Sequence, residues 1–153
     1  MTVLHNEVLI DAPRSKVWGI LSNLEALERY DPVVLESKRA GDSGEGVGSE
    51  RHCSTANGGW FKERVSVWEP ERELEFALYA CNQPMKNLTH SYRLEQIGDR
   101  TKVSQVMRYT MKYGLFGLLL DAIMVRRVAD GQIKLFMGGL KRYAETGKSK
   151  REP

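Results

Sequence analysis

The longest amphipathic run in the sequence is residues 117–146, GLLLDAIMVRRVADGQIKLFMGGLKRYAET. Apolar residues recur in it every three or four positions, the spacing that gathers side chains on one face of an α-helix. The predicted stripe consists of Leu118, Ala122, Val125, Ala129, Ile133, Phe136, Leu140 and Tyr143. A helix of this length is comparable with the diameter of a 153-residue domain, so we expect the rest of the chain to wrap around it.

The middle of the chain has the composition of β-strands separated by turns. Apolar and polar residues alternate in six segments, and Gly, Pro, Asn and Asp cluster between them. The six predicted strands are residues 33–39, 46–55, 60–68, 73–80, 85–97 and 101–112, and residues 3–10 form a seventh at the start. Short connections favour antiparallel neighbours, and helices confined to the two ends of the chain favour the α+β class.

Two short helices are predicted between the first two strands. Pro13 suits the opening turn of the first helix, because that turn has no partner for a backbone N–H. Ser22 and Glu25 have the spacing of a capping box and predict a second helix that runs to about Arg29.

Bulk properties exclude several classes of protein. With 41% hydrophobic and 28% charged residues, the chain is typical of one globular domain, which we expect over residues 1–146, with a polar basic tail over residues 147–153. The net charge is only +3, and no basic stripe with interleaved aromatics is predicted, so nucleic-acid binding is not expected. The longest apolar run, residues 114–125, is interrupted by Asp121 and is too short to span a bilayer.

Targeting signals and metal-binding motifs are not found in the sequence. The first residues lack the basic and apolar regions of a secretory signal, so we expect a cytoplasmic protein. Cys53 and Cys81 do not form a C-x-x-C pair and are interpreted as small apolar residues. We therefore predict no metal and no cofactor.

The alternation along the strands predicts which side chains face the long helix. Inward apolar positions are Phe61, Val65, Val67, Leu74, Phe76, Leu78, Val103, Met107, Tyr109 and Met111. The same parity turns four polar side chains inward, Glu63, His90, Tyr92 and Gln105.

Arg51 is predicted to join this polar set. If Gly58 is the centre of a three-residue hairpin loop, Cys53 pairs with Glu63 and Arg51 with Val65, so Arg51 points inward. An inward charge must pair, meet water or line a cavity, because burying it alone costs several kcal/mol. Two explanations stay open: a salt bridge at the edge of a filled core, and a cavity between sheet and helix.

Three glycines of the long helix, Gly131, Gly138 and Gly139, favour the cavity. Each costs about 1 kcal/mol relative to alanine in a helix and removes a side chain from the space below. They fit a close approach of helix and sheet as well.

A set of short motifs is spread over nearly the whole chain. They are Ile10-Asp11-Ala12-Pro13 with Val17-Trp18, Asp31-Pro32-Val33, GVGSER at residues 46–51, Glu63-Arg64-Val65 with Glu69-Pro70, and Leu140-Lys141-Arg142-Tyr143. Together they resemble the START-like, polyketide-cyclase and lipid-transport (SRPBCC) superfamily. The resemblance implies the helix-grip fold, a seven-stranded curved antiparallel sheet wrapped around a long C-terminal helix. It also implies an apolar small molecule bound between sheet and helix, with Glu63 facing it.

The resemblance does not extend to every branch of the superfamily. The gating-loop motifs of its plant-hormone receptors are not found here, so a receptor function is not expected. The leading hypothesis is non-catalytic binding or transport of a hydrophobic or amphipathic small molecule, such as a lipid, quinone or polyketide-like compound. Its predicted ligand contacts are Arg51, Cys53, Phe61, Glu63, Phe76, Leu78, His90, Tyr92, Met107, Tyr109, Gln132 and Phe136.

The second hypothesis is catalysis of the polyketide cyclase or dehydratase type. His90 or Glu63 would act as the general base, and Tyr92 or Arg51 would stabilise an enolate. The sequence offers these candidates without a catalytic motif, so a carrier and an enzyme both stay open.

The third hypothesis is docking on a membrane or a partner through Leu115 and Phe116. These residues precede Arg126 and Arg127, and apolar residues beside basic ones suit an anionic bilayer. The alternative is that Leu115, Phe116 and Leu119 pack under the edge of the sheet. The sequence leaves the oligomeric state open.

Overall fold

The computed structural model describes residues 1–153 and contains one seven-stranded curved sheet in the order β1-β7-β6-β5-β4-β3-β2. The strands are β1 (Thr2–Ile10), β2 (Val34–Ala40), β3 (Glu50–Thr55), β4 (Trp60–Glu69), β5 (Glu73–Cys81), β6 (Met85–Ile97) and β7 (Arg100–Met111). All neighbouring strands are antiparallel. The predicted α+β architecture with seven strands is confirmed.

The third strand begins later than predicted. Gly46 and Gly48 adopt positive φ values, 111° and 94°, which glycine tolerates but a regular strand does not. The backbone still pairs here, since Gly48 donates its N–H to the Val65 carbonyl at 2.9 Å. The segment before Glu50 therefore follows β4 without forming regular strand.

The helices occupy two parts of the chain. Helices α1 (Arg14–Leu21) and α2 (Leu27–Tyr30) lie between β1 and β2, and α2 is shorter than predicted because Asn23 forms a side-chain turn with the Glu25 N–H at 3.2 Å. The final helical segment joins α3 (Gly114–Leu120), a π-helical turn (Asp121–Val125) and α4 (Arg126–Thr146). Gly147, with φ at 70°, ends α4.

The core lies between the inner face of the sheet and α4. In β7 every second residue from Thr101 to Met111 is buried, as the alternation predicts. The buried stripe of α4 consists of Ala129, Ile133, Phe136, Met137, Leu140 and Ala144. The predicted stripe is therefore correct in α4, where Tyr143 at its end is half-buried.

The first two positions of the predicted stripe are wrong, whereas Val125, which also precedes α4, is buried as predicted. Leu118 and Ala122 are exposed, and the acidic Asp121 is buried in their place. A π turn contains one more residue than an α-helical turn, so it changes which face of the helix points inward. A constant period of 3.6 residues cannot describe both sides of such a turn.

The apolar residues of α3 do not pack under the edge of the sheet. Leu115, Phe116 and Leu119 are 85%, 68% and 59% exposed. None of the helices combines the length and the apolar character that a bilayer span requires.

The hairpin between β3 and β4 differs in register from the prediction. Arg51 lies opposite Glu63, and Cys53 lies opposite Phe61. Gly58, with φ at 71°, is the last residue of the loop and not its centre. The last position is the usual one for glycine in a three-residue hairpin loop. The shift is two residues, so it preserves parity and Arg51 still points inward.

The helix glycines do not create space above the sheet. A Cβ at Gly131 or Gly138 would meet nothing within 4 Å, and both residues are exposed. A Cβ at Gly139 would lie 1.9 Å from the carbonyl oxygen of Tyr30. Gly139 thus permits a close approach of α4 to the end of α2.

Candidate functional site

A cavity of about 370 Å³ lies between the sheet and α4. Its wall is formed by the inner faces of β3 to β7, the inner side of α4 and the segment from α2 to β2. Asn57, Asn82 and Gln132 belong to the wall and are exposed, so the cavity meets the solvent at the end of the sheet that carries the β3–β4 and β5–β6 loops. The volume lies in the range of small-molecule sites.

A buried ion pair forms part of the cavity wall. Arg51 Nε donates to Glu63 Oε2 at 2.8 Å, and the two residues are 4% and 2% exposed. The guanidinium carbon of Arg51 lies 4.0 Å above the ring of Phe76, a cation–π geometry. Burial disfavours the charged form of Arg51, but the Glu63 carboxylate and the weaker effects of Cys53, Tyr30 and Tyr92 together outweigh it, so the pKa of Arg51 is raised. Each charge is therefore compensated within the protein.

His90 and Gln105 extend this polar group across the sheet. His90 Nε2 lies 3.8 Å from Glu63 Oε1, beyond a direct hydrogen bond, and His90 Nδ1 lies 3.2 Å from Gln105 Nε2. Burial lowers the pKa of His90; Glu63 opposes this shift and Arg51 adds to it. His90 is accordingly neutral at neutral pH.

Aromatic and aliphatic residues form half of the wall. The ring of Tyr92 lies 6.5 Å from that of His90 and nearly parallel to it, and 5.4 Å from the ring of Phe136 on α4. Burial raises the pKa of the Tyr92 hydroxyl well above its ordinary value. The tyrosine is thus a neutral group in the cavity.

Nine of the twelve residues predicted as ligand contacts line this cavity. They are Arg51, Phe61, Glu63, Leu78, His90, Tyr92, Met107, Gln132 and Phe136. They come from six elements, and the strand parity brings most of them together.

The other three predicted contacts lie outside the cavity wall. Cys53 is buried beside Ser37, and burial raises its pKa to about 11. Phe76 lies beneath the Arg51 guanidinium, and the Tyr109 hydroxyl donates to Asp121 Oδ1 at 2.5 Å. Inward parity predicts burial, but it does not separate residues that line a cavity from residues that fill the core.

Several residues of the wall were not among the predicted contacts. Gln105 was predicted to point inward, and its position beside His90 makes it part of the polar group. Asp31 lies in the connection before β2, where its Oδ1 accepts the N–H of Val33 at 2.9 Å, and burial raises its pKa. Residues 82–84 lie in a loop, for which strand parity gives no signal.

A second buried polar group lies at the π turn, away from the cavity wall. Thr2 and Tyr109 both donate to Asp121, and Arg126 lies 3.4 Å from its Oδ2. Burial alone would raise the pKa of Asp121, but these donors and the arginine charge outweigh it, so the pKa is lowered. This group joins β1, β7 and the final helical segment.

A comparison with protein families connects this geometry to a known group. A family model described as polyketide cyclase / dehydrase and lipid transport matches residues 1–145. The chain belongs to this family. The resemblance predicted from the sequence motifs is confirmed.

Solved structures of the same fold are numerous and distant in sequence. A Thermus thermophilus protein has a TM-score of 0.79 at 19% identity, with 94% of this chain and 97% of the other covered. A START superfamily protein from Mycobacterium smegmatis has a TM-score of 0.74 at 15% identity, covering 93% and 96%. The Zhui aromatase/cyclase from a Streptomyces species has a TM-score of 0.73 at 12% identity, covering 95% and 97%. Among curated proteins, none matches this chain.

These likenesses support the fold rather than a particular activity. The predicted helix-grip architecture is confirmed, and family membership fits either hydrophobic-ligand binding or cyclase activity. No group of three or more His, Cys, Asp or Glu side chains is placed to hold a metal ion.

Proposed function

We propose that this protein binds or carries a hydrophobic or amphipathic small molecule in the cavity between the sheet and α4. The observation that carries the proposal is the cavity itself, about 370 Å³ and bordered by Phe61, Leu78 and Phe136 around a small polar group. Half of the wall residues are hydrophobic, and apolar surface combined with a few fixed polar groups is usual in a small-molecule site.

The polar group supports binding better than acid–base catalysis. A general base needs its partner and its substrate within hydrogen-bond reach. Glu63 is held by Arg51 at 2.8 Å, and the 3.8 Å between Glu63 and His90 is too long for a direct proton relay. Cyclase or dehydratase activity is therefore the second candidate for this cavity, with His90 as its base.

A dye-binding assay tests the leading proposal. We expect the neutral dye N-phenyl-naphthylamine to bind the purified protein with a fluorescence increase. Leu78→Trp adds bulk to the cavity wall and should weaken binding by roughly tenfold or more. Leu135→Trp places the same side chain on the exposed face of α4 and should leave binding unchanged.

Native mass spectrometry supplies an independent measurement. Binding predicts that a small molecule co-purifies with the wild-type protein and is reduced in Leu78→Trp. A protein that is empty after purification and also fails to bind the dye would contradict the proposal.

We also propose that the surface of α3 and the π turn docks on an anionic membrane. Its exposed apolar residues are Leu115, Phe116, Leu118, Leu119, Ile123 and Met124. Asp121 is the only acidic residue between Arg100 and Ala129, and it is buried, whereas Arg126 and Arg127 are exposed. Apolar side chains beside exposed basic ones suit the interface of a bilayer that contains anionic lipid.

The position of this surface relates it to the cavity. Met124 and Val128 border a small pocket whose other side is Gln83 and Pro84, residues that also line the main cavity. A docked membrane would thus lie close to the opening of the cavity, which suits exchange of an amphipathic ligand.

Vesicle flotation tests the docking proposal. We expect binding to vesicles of phosphatidylcholine with phosphatidylglycerol, and much weaker binding to phosphatidylcholine alone. Leu115→Ser with Phe116→Ser should abolish flotation, and Leu35→Ser with Val47→Ser, two exposed apolar residues elsewhere, should not. Flotation that ignores anionic lipid, or a stable dimer that loses its interface in the first variant, would contradict membrane docking.

A further inference from the structure

Gln105 has an unusual position in the cavity wall. It lies in the middle of β7, is 1% exposed and lines the cavity. Its Oε1 is the one buried side-chain nitrogen or oxygen in the chain without a hydrogen-bond partner. Native proteins pair nearly all buried polar atoms, so an unpaired acceptor beside a cavity indicates a group that is paired when the cavity is filled.

The direction of the hydrogen bonds fixes which atom of the amide is unpaired. The Glu63 carboxylate can only accept, and it already accepts from Arg51. His90 is neutral, so one ring nitrogen carries hydrogen, and the carboxylate 3.8 Å from Nε2 favours the hydrogen there. His90 Nδ1 is then an acceptor.

This tautomer determines the orientation of the Gln105 amide. An acceptor at His90 Nδ1 requires the amide NH₂ group opposite it, at the observed 3.2 Å. The chain of polar groups therefore runs from Arg51 through Glu63 and His90 to Gln105, and it ends on the unpaired carbonyl oxygen Oε1. A ligand group that meets this oxygen must donate a hydrogen bond.

The charges around the cavity disfavour a charged ligand. Arg51 is paired with Glu63, so no unpaired cation faces the space for a carboxylate or phosphate. The remaining acidic residue of the wall, Asp31, already accepts a backbone N–H, and burial disfavours its charged form. A charged head group would lose its hydration without gaining a partner of opposite charge.

We propose that the cavity selects an uncharged ligand with a hydroxyl or phenol group, which donates a hydrogen bond to Gln105 Oε1. This inference rests on the proposed binding function and specifies the chemical class of its ligand. Fatty-acid anions and phospholipids are disfavoured, and neutral hydroxylated amphiphiles are favoured.

Three matched probes test this inference by direct binding measurements. They are para-hexylphenol, its methyl ether and the para-hexylbenzoate anion at about pH 7. We expect the wild-type protein to bind the phenol roughly five- to tenfold more tightly than the ether, and the benzoate most weakly.

Two variants with the same substitution distinguish the effect of the Gln105 carbonyl oxygen on binding from a general effect of the substitution. Gln105→Met keeps the length of the side chain without a carbonyl group, so the ratio of phenol to ether affinity should fall to about one while the ether still binds. Gln96→Met changes an exposed glutamine near the end of β6, outside the cavity wall, and should keep the wild-type ratio.

The outcomes distinguish this inference from the function on which it rests. Binding of none of the probes would overturn the proposed function and this inference together. Equal binding of phenol and ether by the wild-type protein, preference for the ether, or an unchanged ratio in Gln105→Met would overturn the inference alone. The wild-type ratio is decisive even if Gln105→Met does not fold.

Discussion

The two ends of the final helical segment use apolar residues in opposite ways. In α4 the apolar stripe faces the sheet, and Leu140 and Ala144 are fully buried. In α3 four large apolar side chains are exposed, and the buried residue is Gly117, where a Cβ would lie 1.9 Å from the Lys112 carbonyl oxygen. The more apolar end is thus the more exposed one, and backbone proximity rather than hydrophobicity determines what α3 buries.

The strongest test of this contrast is the same substitution at both ends. Leu140→Ala removes a fully buried side chain from the core and should lower the free energy of unfolding by about 2–5 kcal/mol. Leu119→Ala removes a side chain that is 59% exposed and should change it by less than about 0.5 kcal/mol. Urea unfolding followed by circular dichroism measures both values. Similar losses in the two variants would mean that α3 is packed in solution, contrary to the structure.

The buried carboxylate of the π turn gives the next largest effect. Thr2 and Tyr109 each donate to one oxygen of the Asp121 carboxylate. The amide of Asp121→Asn has only one acceptor oxygen, so one of these buried hydroxyl groups loses its acceptor. We expect a loss of about 1–3 kcal/mol in the free energy of unfolding. Asp130→Asn serves as the control, because Asp130 is only half-buried and its ion pair with Lys134 is a surface pair. An equal loss in both variants would contradict a structural role specific to Asp121.

The stability of the π turn should also depend on pH. The pKa of Asp121 is lowered in the folded protein from an ordinary value near 3.8, so its contribution is fully present above that value. It is lost as the pH falls through the lower folded-state pKa, because protonation then removes the charge that the donors stabilise. The difference in unfolding free energy between wild type and Asp121→Asn should therefore shrink below about pH 4. A difference that is constant from neutral pH into that range would exclude this linkage.

The smallest expected effect concerns the outer face of α4. Gly131 is exposed, has open space around its Cα and lies inside a helix, so Gly131→Ala should raise the free energy of unfolding by about 0.5–1 kcal/mol. Gly139→Ala is the contrasting variant and should be destabilising, because its Cβ would meet the Tyr30 carbonyl oxygen. Thermal unfolding measures both. Destabilisation by Gly131→Ala would mean that the outer face of α4 contacts another surface.

Strand parity is the property that made part of the site predictable from the sequence. Arg51, Glu63 and His90 all lie on inward positions of β3, β4 and β6, and alternation alone places them there even though the hairpin register was wrong by two residues. Packing distances between side chains cannot be predicted from strand parity. Whether Phe76 lines the cavity or lies beneath Arg51 depends on the side-chain arrangement, which a binary pattern does not contain.

The unpredicted features depend on contacts between distant segments. The π turn changes the helical period at Asp121, whose burial is explained by Thr2, far away in the chain. The unpaired oxygen of Gln105 follows from a series of polar contacts that begins at Arg51 on another strand. Neither follows from local propensity, since each is set by tertiary contacts.

We expect single-residue insertions and deletions in the π turn to disturb the packing of the final helical segment. Removing one residue between Asp121 and Val125 would convert this turn to α-helix and rotate α3 by about 100° relative to α4. Gly117 would leave its place against the Lys112 carbonyl, and a side chain would take that place. The extra residue thus sets the phase between the two ends of the helix, so length changes here should be tolerated far less than in the loops.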